Sequence, residues 1–191
     1  MCQLIVMREG LTRWEAEKRL RGRVDVPLAP EGEAEVKRSA PELSALTPAA
    51  IYHGPDQAGR QTAELLRELA DVPVRELGDL AEMNLGLWEG LLAEEVKHRH
   101  PRVYRQWLDD PERVEAPEGE TVAQGKERVE KLLRNVSSRH PHDTVVLVVP
   151  PLLGALVRWV LGAGELGALV RGTLEGVPWQ TYEVEPPDNG R

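Results

Sequence analysis

The amino-acid sequence predicts an open α/β sheet with helices on both of its faces. Short runs rich in β-branched residues alternate along the 191-residue chain with longer stretches of helical periodicity. One of these runs, residues 145–149, is apolar at every position. Such a run is typical of a central strand in a parallel sheet that is covered on both sides. Together the two observations indicate an α/β fold.

Five strands and four helices are predicted from these patterns. The strands are expected at residues 4–7, 50–53, 72–75, 144–149 and 180–184. Apolar stripes with helical spacing run through residues 36–46, 58–69, 122–136 and 152–161. Pro41 is expected to kink or restart the first helix, because proline lacks a backbone hydrogen-bond donor. Thr121 is the predicted N-cap of the third helix.

Composition and charge exclude two kinds of partner. The formal net charge of −8 argues against nucleic acid and against an anionic membrane surface, because both require a basic face. The most apolar tract, residues 145–157, contains two prolines and is too short to span a membrane. We therefore expect neither a nucleic acid nor a membrane as partner.

Chain length and cysteine content predict one domain in a reducing compartment. With 41% hydrophobic residues, the chain is expected to form a single domain over residues 1–191. Cys2 is the only cysteine, so no internal disulfide can form and no multi-cysteine metal site exists. Since no signal-peptide pattern is present at the N-terminus, we expect the protein in the cytoplasm.

Three predicted strands lead into residues that are candidates for a site. Glu9 follows the first strand, His53 ends the second, and Pro150–Pro151 follow the fourth. Ligands of open α/β sheets bind beyond the carboxyl ends of the strands. We therefore expect these residues to lie on one rim of the sheet.

Six short motifs occur in order between residues 3 and 162. They read REGLTRWE from Arg8, RLRGRVDVPLAPEG from Arg19, YHGPDQAGRQTA from Tyr52, LAEMNLGLWEG from Leu80, PEGET from Pro117 and VPPLL from Val149. In type and spacing they resemble the motifs of the histidine phosphatase superfamily, in its cofactor-dependent phosphoglycerate mutase-like branch. The resemblance implies a three-layer α/β/α sandwich with a mostly parallel central sheet and one antiparallel edge strand.

The resemblance also implies which positions would carry catalysis. In the family a neutral histidine attacks phosphorus, two arginines and a second histidine neutralise the phosphate, and a glutamate protonates the leaving oxygen. In this chain the nucleophile position is Glu9, the arginine positions are Arg8 and Ala58, the second histidine position is Pro151 (Pro150 if the alignment shifts by one), and the acid position is Glu82.

Three of these five positions, including that of the nucleophile, therefore lack the residue that the chemistry requires. A carboxylate about 4 Å from a phosphate oxygen costs on the order of 4 kcal/mol at an effective dielectric constant of 20. Neither Arg60, on the wrong side of its predicted helix, nor Arg158, too far along its helix, is expected to replace the missing arginine. We expect a degenerate histidine phosphatase-like protein without phosphoryl-transfer activity, acting in binding or regulation as a homodimer or with a protein partner.

Two alternatives remain open at the level of the sequence. Glu9 and Glu82 could form a carboxylate pair in a remodelled active site, with His53 completing a metal site. The second alternative is a divergent phosphatase or mutase for which the motif alignment misleads. No cofactor is expected, and hydrogen bonding is favoured over metal binding at Glu9, His53 and Glu82.

The candidate ligand-binding residues follow from these motifs. They are Arg8, Glu9, Thr12, Arg21, His53 and Glu82. Arg8 is expected to form an internal ion pair with Glu9 or Glu82 rather than to bind an anion. Arg21 stands where the family has a substrate-side glutamine, so it either contacts a small anionic ligand or lies in a solvated loop.

Overall fold

A computed structural model describes residues 1–171 and 179–186 of the chain. Its five strands within these ranges are β1 (Cys2–Arg8), β2 (Ala50–His53), β3 (Val74–Glu76), β4 (Thr144–Val149) and β5 (Trp179–Val184). Its α-helices are α1 (Arg13–Ala16), α2 (Pro30–Ser44), α3 (Gln57–Ala70), α4 (Ala93–Arg99), α5 (Pro101–Asp109), α6 (Val122–Arg139), α7 (Pro151–Val160) and α8 (Leu166–Arg171).

The strands form one sheet in the order β3-β2-β4-β1-β5. Strand β4 pairs in parallel with both β1 and β2, and β2 pairs in parallel with β3. Strand β5 is the exception, because it lies antiparallel to β1 at the edge. The predicted mostly parallel sheet with one antiparallel edge strand is confirmed.

Helices cover both faces of this sheet and complete the three layers. Side chains of alternate strand residues point to opposite faces, so neighbouring residues of β1 belong to different cores. Leu4 packs in a core with α6 and α7, whereas Ile5 packs in a core with α2 and α3. The three-layer α/β/α sandwich is therefore confirmed.

Most predicted elements are found, with small differences at their ends. Strand β4 has the predicted bounds, and the side chain of Thr121 caps α6 as predicted. Strand β3 begins two residues later than predicted, at Val74. The helix does not restart at Pro41, because α2 continues through this residue to Ser44. Ala40 and Leu43, on either side of Pro41, are both buried in the core. Their packing outweighs the loss of the one backbone hydrogen bond that proline cannot donate.

The sheet topology brings three strand ends to one edge. Strands β1, β2 and β4 are adjacent and parallel, so Glu9, His53 and Pro150 lie at the same rim, as expected from the sequence. The backbone N–H of Glu9 donates to the carbonyl oxygen of Val149 at 2.9 Å, which extends the β1–β4 pairing by one residue. Glu9 is thereby fixed at the rim by main-chain bonds.

Within residues 1–171 and 179–186, no helix is long and apolar enough to cross a membrane.

Candidate functional site

The centre of the rim is a buried ion pair between Glu9 and Arg21. The carboxylate of Glu9 accepts a hydrogen bond from the guanidinium of Arg21, and the two side chains are only 0% and 3% exposed. A second nitrogen of Arg21 lies 3.5 Å from Oδ1 of Asp56, the N-cap residue of α3. One guanidinium is thus shared between two carboxylates.

Arg21 reaches this place from the loop between α1 and α2. The loop is held by a hydrogen bond from the N–H of Leu20 to the carbonyl of Leu91 and by another from the N–H of Arg23 to the carboxylate of Glu89, both at 2.9 Å. Gly22 has a φ of +56°, and a Cβ there would overlap Glu89. The prediction that Arg21 lies in a solvated loop, unless it contacts a ligand, is wrong: its side chain is buried against Glu9 because a buried carboxylate requires a countercharge.

Arg8 forms an internal ion pair, but with a different partner from those expected. One of its terminal nitrogens lies 2.9 Å from Oε1 of Glu15. Thr12 holds this partner in place, since both its backbone N–H and its hydroxyl donate to Oε2 of Glu15. Thr12 is itself fully buried and is the N-cap of α1, so its contacts are structural.

Glu82 binds the amino end of a helix. Its carboxylate accepts hydrogen bonds from the backbone N–H groups of Leu152 and Leu153, at 2.9 and 2.7 Å, and from that of Met83 at 2.8 Å. The first two groups belong to the first turn of α7, which begins at Pro151. Unbonded N–H groups at the amino end of a helix attract anions, and here the N–H groups of Leu152 and Leu153 are already bonded to Glu82.

His53 is buried at the end of β2, where its Nδ1 donates to the carbonyl of Gly54 at 2.6 Å. In the described part of the chain, no group of three or more histidine, cysteine, aspartate or glutamate side chains is placed to hold a metal ion. The alternative in which Glu9, His53 and Glu82 converge on a metal is therefore not supported.

Burial governs the protonation of the two carboxyl groups at the rim. It raises the pKa of Glu9 well above the ordinary value of 4.5. Repulsion from the carboxyl groups of Asp56, Glu15 and Glu82 raises this pKa further, whereas the positive charge of Arg21 lowers it. Burial likewise raises the pKa of Glu82. For Arg21 burial alone would lower the pKa, but the surrounding carboxylates outweigh it and raise the value.

A cleft of about 910 Å³ opens beside the ion pair. Its polar side is lined by Arg8, Glu9, Arg21 and Glu82, and Pro151 also borders it. Its apolar side is formed by Leu20, Leu85, Tyr104, Trp107 and Leu152. Thr12 and His53 do not line the cleft, so four of the six candidate ligand-binding residues do.

The family sequence model of the histidine phosphatase superfamily (branch 1) matches residues 4–165 of the chain. The chain belongs to this superfamily. The sequence is 33% identical over 148 residues to phosphoserine phosphatase 1 of Hydrogenobacter thermophilus, covering 78% of this chain and 70% of that protein. It is 27% identical over 163 residues to a probable phosphoglycerate mutase, GpmB, of Escherichia coli, covering 85% and 76%.

A solved structure has a similar fold. The protein YhfR of Bacillus stearothermophilus superposes with a TM-score of 0.82 at 26% identity, covering 88% of this chain and 84% of that chain. The predicted phosphoglycerate mutase-like fold is confirmed, and the helices and strands that carry the rim lie within the matched residues.

The sequence reasoning missed two residues of the site, Glu15, which pairs with Arg8, and Asp56. The side chain of Asp56 accepts from the N–H of Gly59 at 2.8 Å as the N-cap of α3, and it also faces Arg21. For Asp56 the signal was present, because aspartate is a typical N-cap and Asp56 lies two residues before the predicted helical stripe that starts at residue 58.

Replacing Arg21 by methionine is expected to destabilise the protein by about 3–5 kcal/mol, because it leaves Glu9 buried without a countercharge. Urea unfolding at pH 8 measures the loss. The matched control is Arg13→Met, since Arg13 forms an exposed pair with Glu17 and its loss should cost less than about 1 kcal/mol. The double variant Arg21→Met/Glu9→Leu should recover most of the stability, and equal losses for Arg21→Met and Arg13→Met would contradict the buried pair.

The stability difference between Glu9→Gln and the wild type is expected to depend on pH. Because burial raises the pKa of Glu9 in the folded protein, its stabilising contribution is complete below the unfolded value of 4.5 and is lost as the pH rises through the folded value. The glutamine cannot ionise, so the variant should gain on the wild type by about 1.4 kcal/mol per pH unit between those two values.

Urea unfolding of both proteins at pH 4, 6 and 8 measures this difference. The groups that face Glu9, namely Arg21, Asp56, Glu15 and Glu82, are the same in both proteins. A difference that stays constant, or that favours the wild type as the pH rises, would show that burial does not raise the pKa of Glu9 in the folded protein.

Proposed function

We propose that this member of the histidine phosphatase superfamily does not transfer phosphoryl groups through a phosphohistidine and acts as a binding or regulatory protein. The observation that carries the proposal is the buried ion pair of Glu9 and Arg21. A phosphomonoester that approached Arg21 would have to displace a carboxylate that is fixed to the end of β1. The protein therefore supplies its own anion at the rim.

The other features that would attract a phosphate are also engaged by carboxylates of the chain. Arg8 pairs with Glu15, and the N–H groups at the start of α7 bind Glu82. A phosphate dianion at this rim would therefore meet the carboxylates of Glu9, Glu15 and Glu82, while Arg8 and Arg21 are already paired with two of them. Repulsion of this kind costs several kcal/mol near a protein surface.

The residues at the family's catalytic positions support the same proposal. Ala58 is fully buried in α3 and carries no charge, and Pro151 provides neither an imidazole nor a backbone donor. Arg60 is exposed, and Nε of Arg158 donates to the carbonyl of Gly154. Neither arginine lines the cleft, in agreement with the expectation from the sequence.

The size of the cleft favours a binding role over a purely structural one. Small-molecule sites typically have volumes of about 300–1,000 Å³ and combine apolar walls with a few polar groups. The cleft beside Glu9 fits this description. The expected homodimer or protein partner stays a prediction.

A second candidate function is an enzyme that uses Glu9 and Glu82 as an acid–base pair. It is favoured by the fact that both carboxyl groups line the cleft and that burial raises the pKa of each. Against it, Glu82 is bound by three backbone N–H groups and Glu9 by Arg21, so neither is free to move a proton.

Steady-state hydrolysis assays distinguish these functions. The relatives are named for phosphoserine and phosphoglycerate, so phosphoserine, 3-phosphoglycerate and p-nitrophenyl phosphate are the substrates to test. We expect no turnover by the wild type above that of Glu9→Ala purified in the same way. Activity present in both preparations would indicate a contaminant, whereas turnover that Glu9→Ala abolishes would overturn the proposal.

A further inference from the structure

The two edge strands of the sheet differ in how well they are protected from pairing with another chain. Strand β3 has only three residues, two of which are charged. Strand β5 has six residues, of which only Glu183 is charged, and it contains neither lysine nor proline. Its register with β1 runs through six consecutive residue pairs without a bulge. Short length, charge, proline and bulges are the usual means of protecting an edge, so β5 is the open edge of this sheet.

The register also shows which backbone groups of β5 face outward. The N–H of Gln3 donates to the chain at the amino end of β4, so the odd-numbered residues of β1 bond to β4 and the even-numbered residues bond to β5. Tyr182 lies opposite one of these even-numbered residues, so its N–H and C=O point to β1. Those of Thr181 and Glu183 point away from the sheet. Within residues 1–171 and 179–186, no backbone group bonds to them.

The symmetry of a dimer restricts how β5 could pair with a second copy of itself. Two identical strands related by a two-fold axis run antiparallel, and two residues that lie opposite each other must both bond across the pair or both bond away from it. Since these two kinds of residue alternate along the strand, one residue must lie opposite itself on the axis. Thr181, Tyr182 and Glu183 are the central choices in β5.

Charge favours one of these three registers. With Glu183 on the axis, two carboxylates would face each other, and with Tyr182 there they would be diagonal neighbours about 7–8 Å apart. With Thr181 on the axis, Glu183 lies opposite Trp179 of the second copy. The two carboxylates are then about 14 Å apart, which exceeds the screening length in physiological salt. This register also places two threonines opposite each other, which is a favourable cross-strand pair.

We propose that two copies of this chain pair through β5, antiparallel about an axis at Thr181, and form one continuous sheet. The pairing adds about six backbone hydrogen bonds, donated and accepted by the outward-facing residues Trp179, Thr181 and Glu183 of each copy. Strand types that favour sheets, namely tryptophan, threonine, tyrosine and valine, dominate β5. A single pair of edge strands buries less area than a permanent dimer does, so the dimer dissociates on dilution.

Sedimentation velocity of the full chain, from about 1 µM to about 1 mM, measures this association. We expect the mass to rise with concentration from that of the 21.3 kDa chain towards twice that value. Thr181→Pro should weaken the dimer at least about tenfold, because it removes the two N–H donors at the axis and none that bonds to β1. Thr181→Val is the matched control and should leave the association unchanged, since it keeps the backbone donor and a β-branched side chain.

Thr181→Lys tests the same position without proline. Thr181 is exposed, so the lysine is tolerated in one copy, but two ammonium groups would lie opposite each other in the dimer. We expect it to weaken the association at least about tenfold as well. Circular dichroism and urea unfolding confirm that the variants at this position are folded.

Disulfide trapping locates the axis. Residues opposite each other in a hydrogen-bonded antiparallel pair have Cα atoms about 5.5 Å apart, which a disulfide can span. Mild oxidation should therefore convert Thr181→Cys to a covalent dimer. Arg75→Cys, at an exposed position of β3, is the matched control and should stay monomeric. The wild type should also stay monomeric, because its only cysteine, Cys2, is buried.

A monomer at every concentration would overturn the inference, and so would a dimer that Thr181→Pro and Thr181→Lys leave intact. Trapping of Arg75→Cys as readily as Thr181→Cys would place the contact elsewhere and would overturn it too. The inference goes beyond the proposed function, because no described residue of β5 lines the cleft. Hydrolysis assays alone decide the proposed function, and sedimentation and trapping alone decide the dimer.

Discussion

The structure of the rim depends on one interaction, the buried ion pair between Glu9 and Arg21. Removing two charges from water costs several kcal/mol for each ion, so such a pair persists only where the fold holds both partners together. Here main-chain bonds fix Glu9 at the end of β1, and the bonds of Leu20 and Arg23 fix the loop that carries Arg21. The scaffold thus maintains an arrangement that its own electrostatics would not form in isolation.

The same pattern recurs around the pair and gives the rim its character. Glu15 binds Arg8, Glu82 binds the start of α7, and Asp56 caps α3, so these three anion-attracting groups already have an anion from the chain. Since the cleft beside them is still open, these contacts change what the site can accept without filling it. The superfamily fold is retained, and we propose that these charges alter which ligands its rim accepts.

The fold was predictable from the sequence to a greater extent than the site. Hydrophobic periodicity and six motifs predicted the sheet, its parallel strands and the placement of Glu9, His53 and Pro150 on one rim, because these depend on local pattern and on strand direction. The partners of Arg8 and Arg21 were not predictable in this way. They depend on the path of the loop between α1 and α2, and two residues as far apart as Gly22 and Glu89 help to determine that path. Pro41 shows the same limit, since packing of Ala40 and Leu43 overrides a local preference.

The most direct measurement of the central claim is the affinity for inorganic phosphate, determined by calorimetry at pH 7 and low salt for the wild type and for Glu9→Gln. If the carboxylate of Glu9 holds the place of an external anion, the variant frees Arg21 and should bind phosphate at least about tenfold more tightly than the wild type. Equal affinities for the two proteins, or tighter binding by the wild type, would show that Glu9 does not occupy an anion site and would contradict the account.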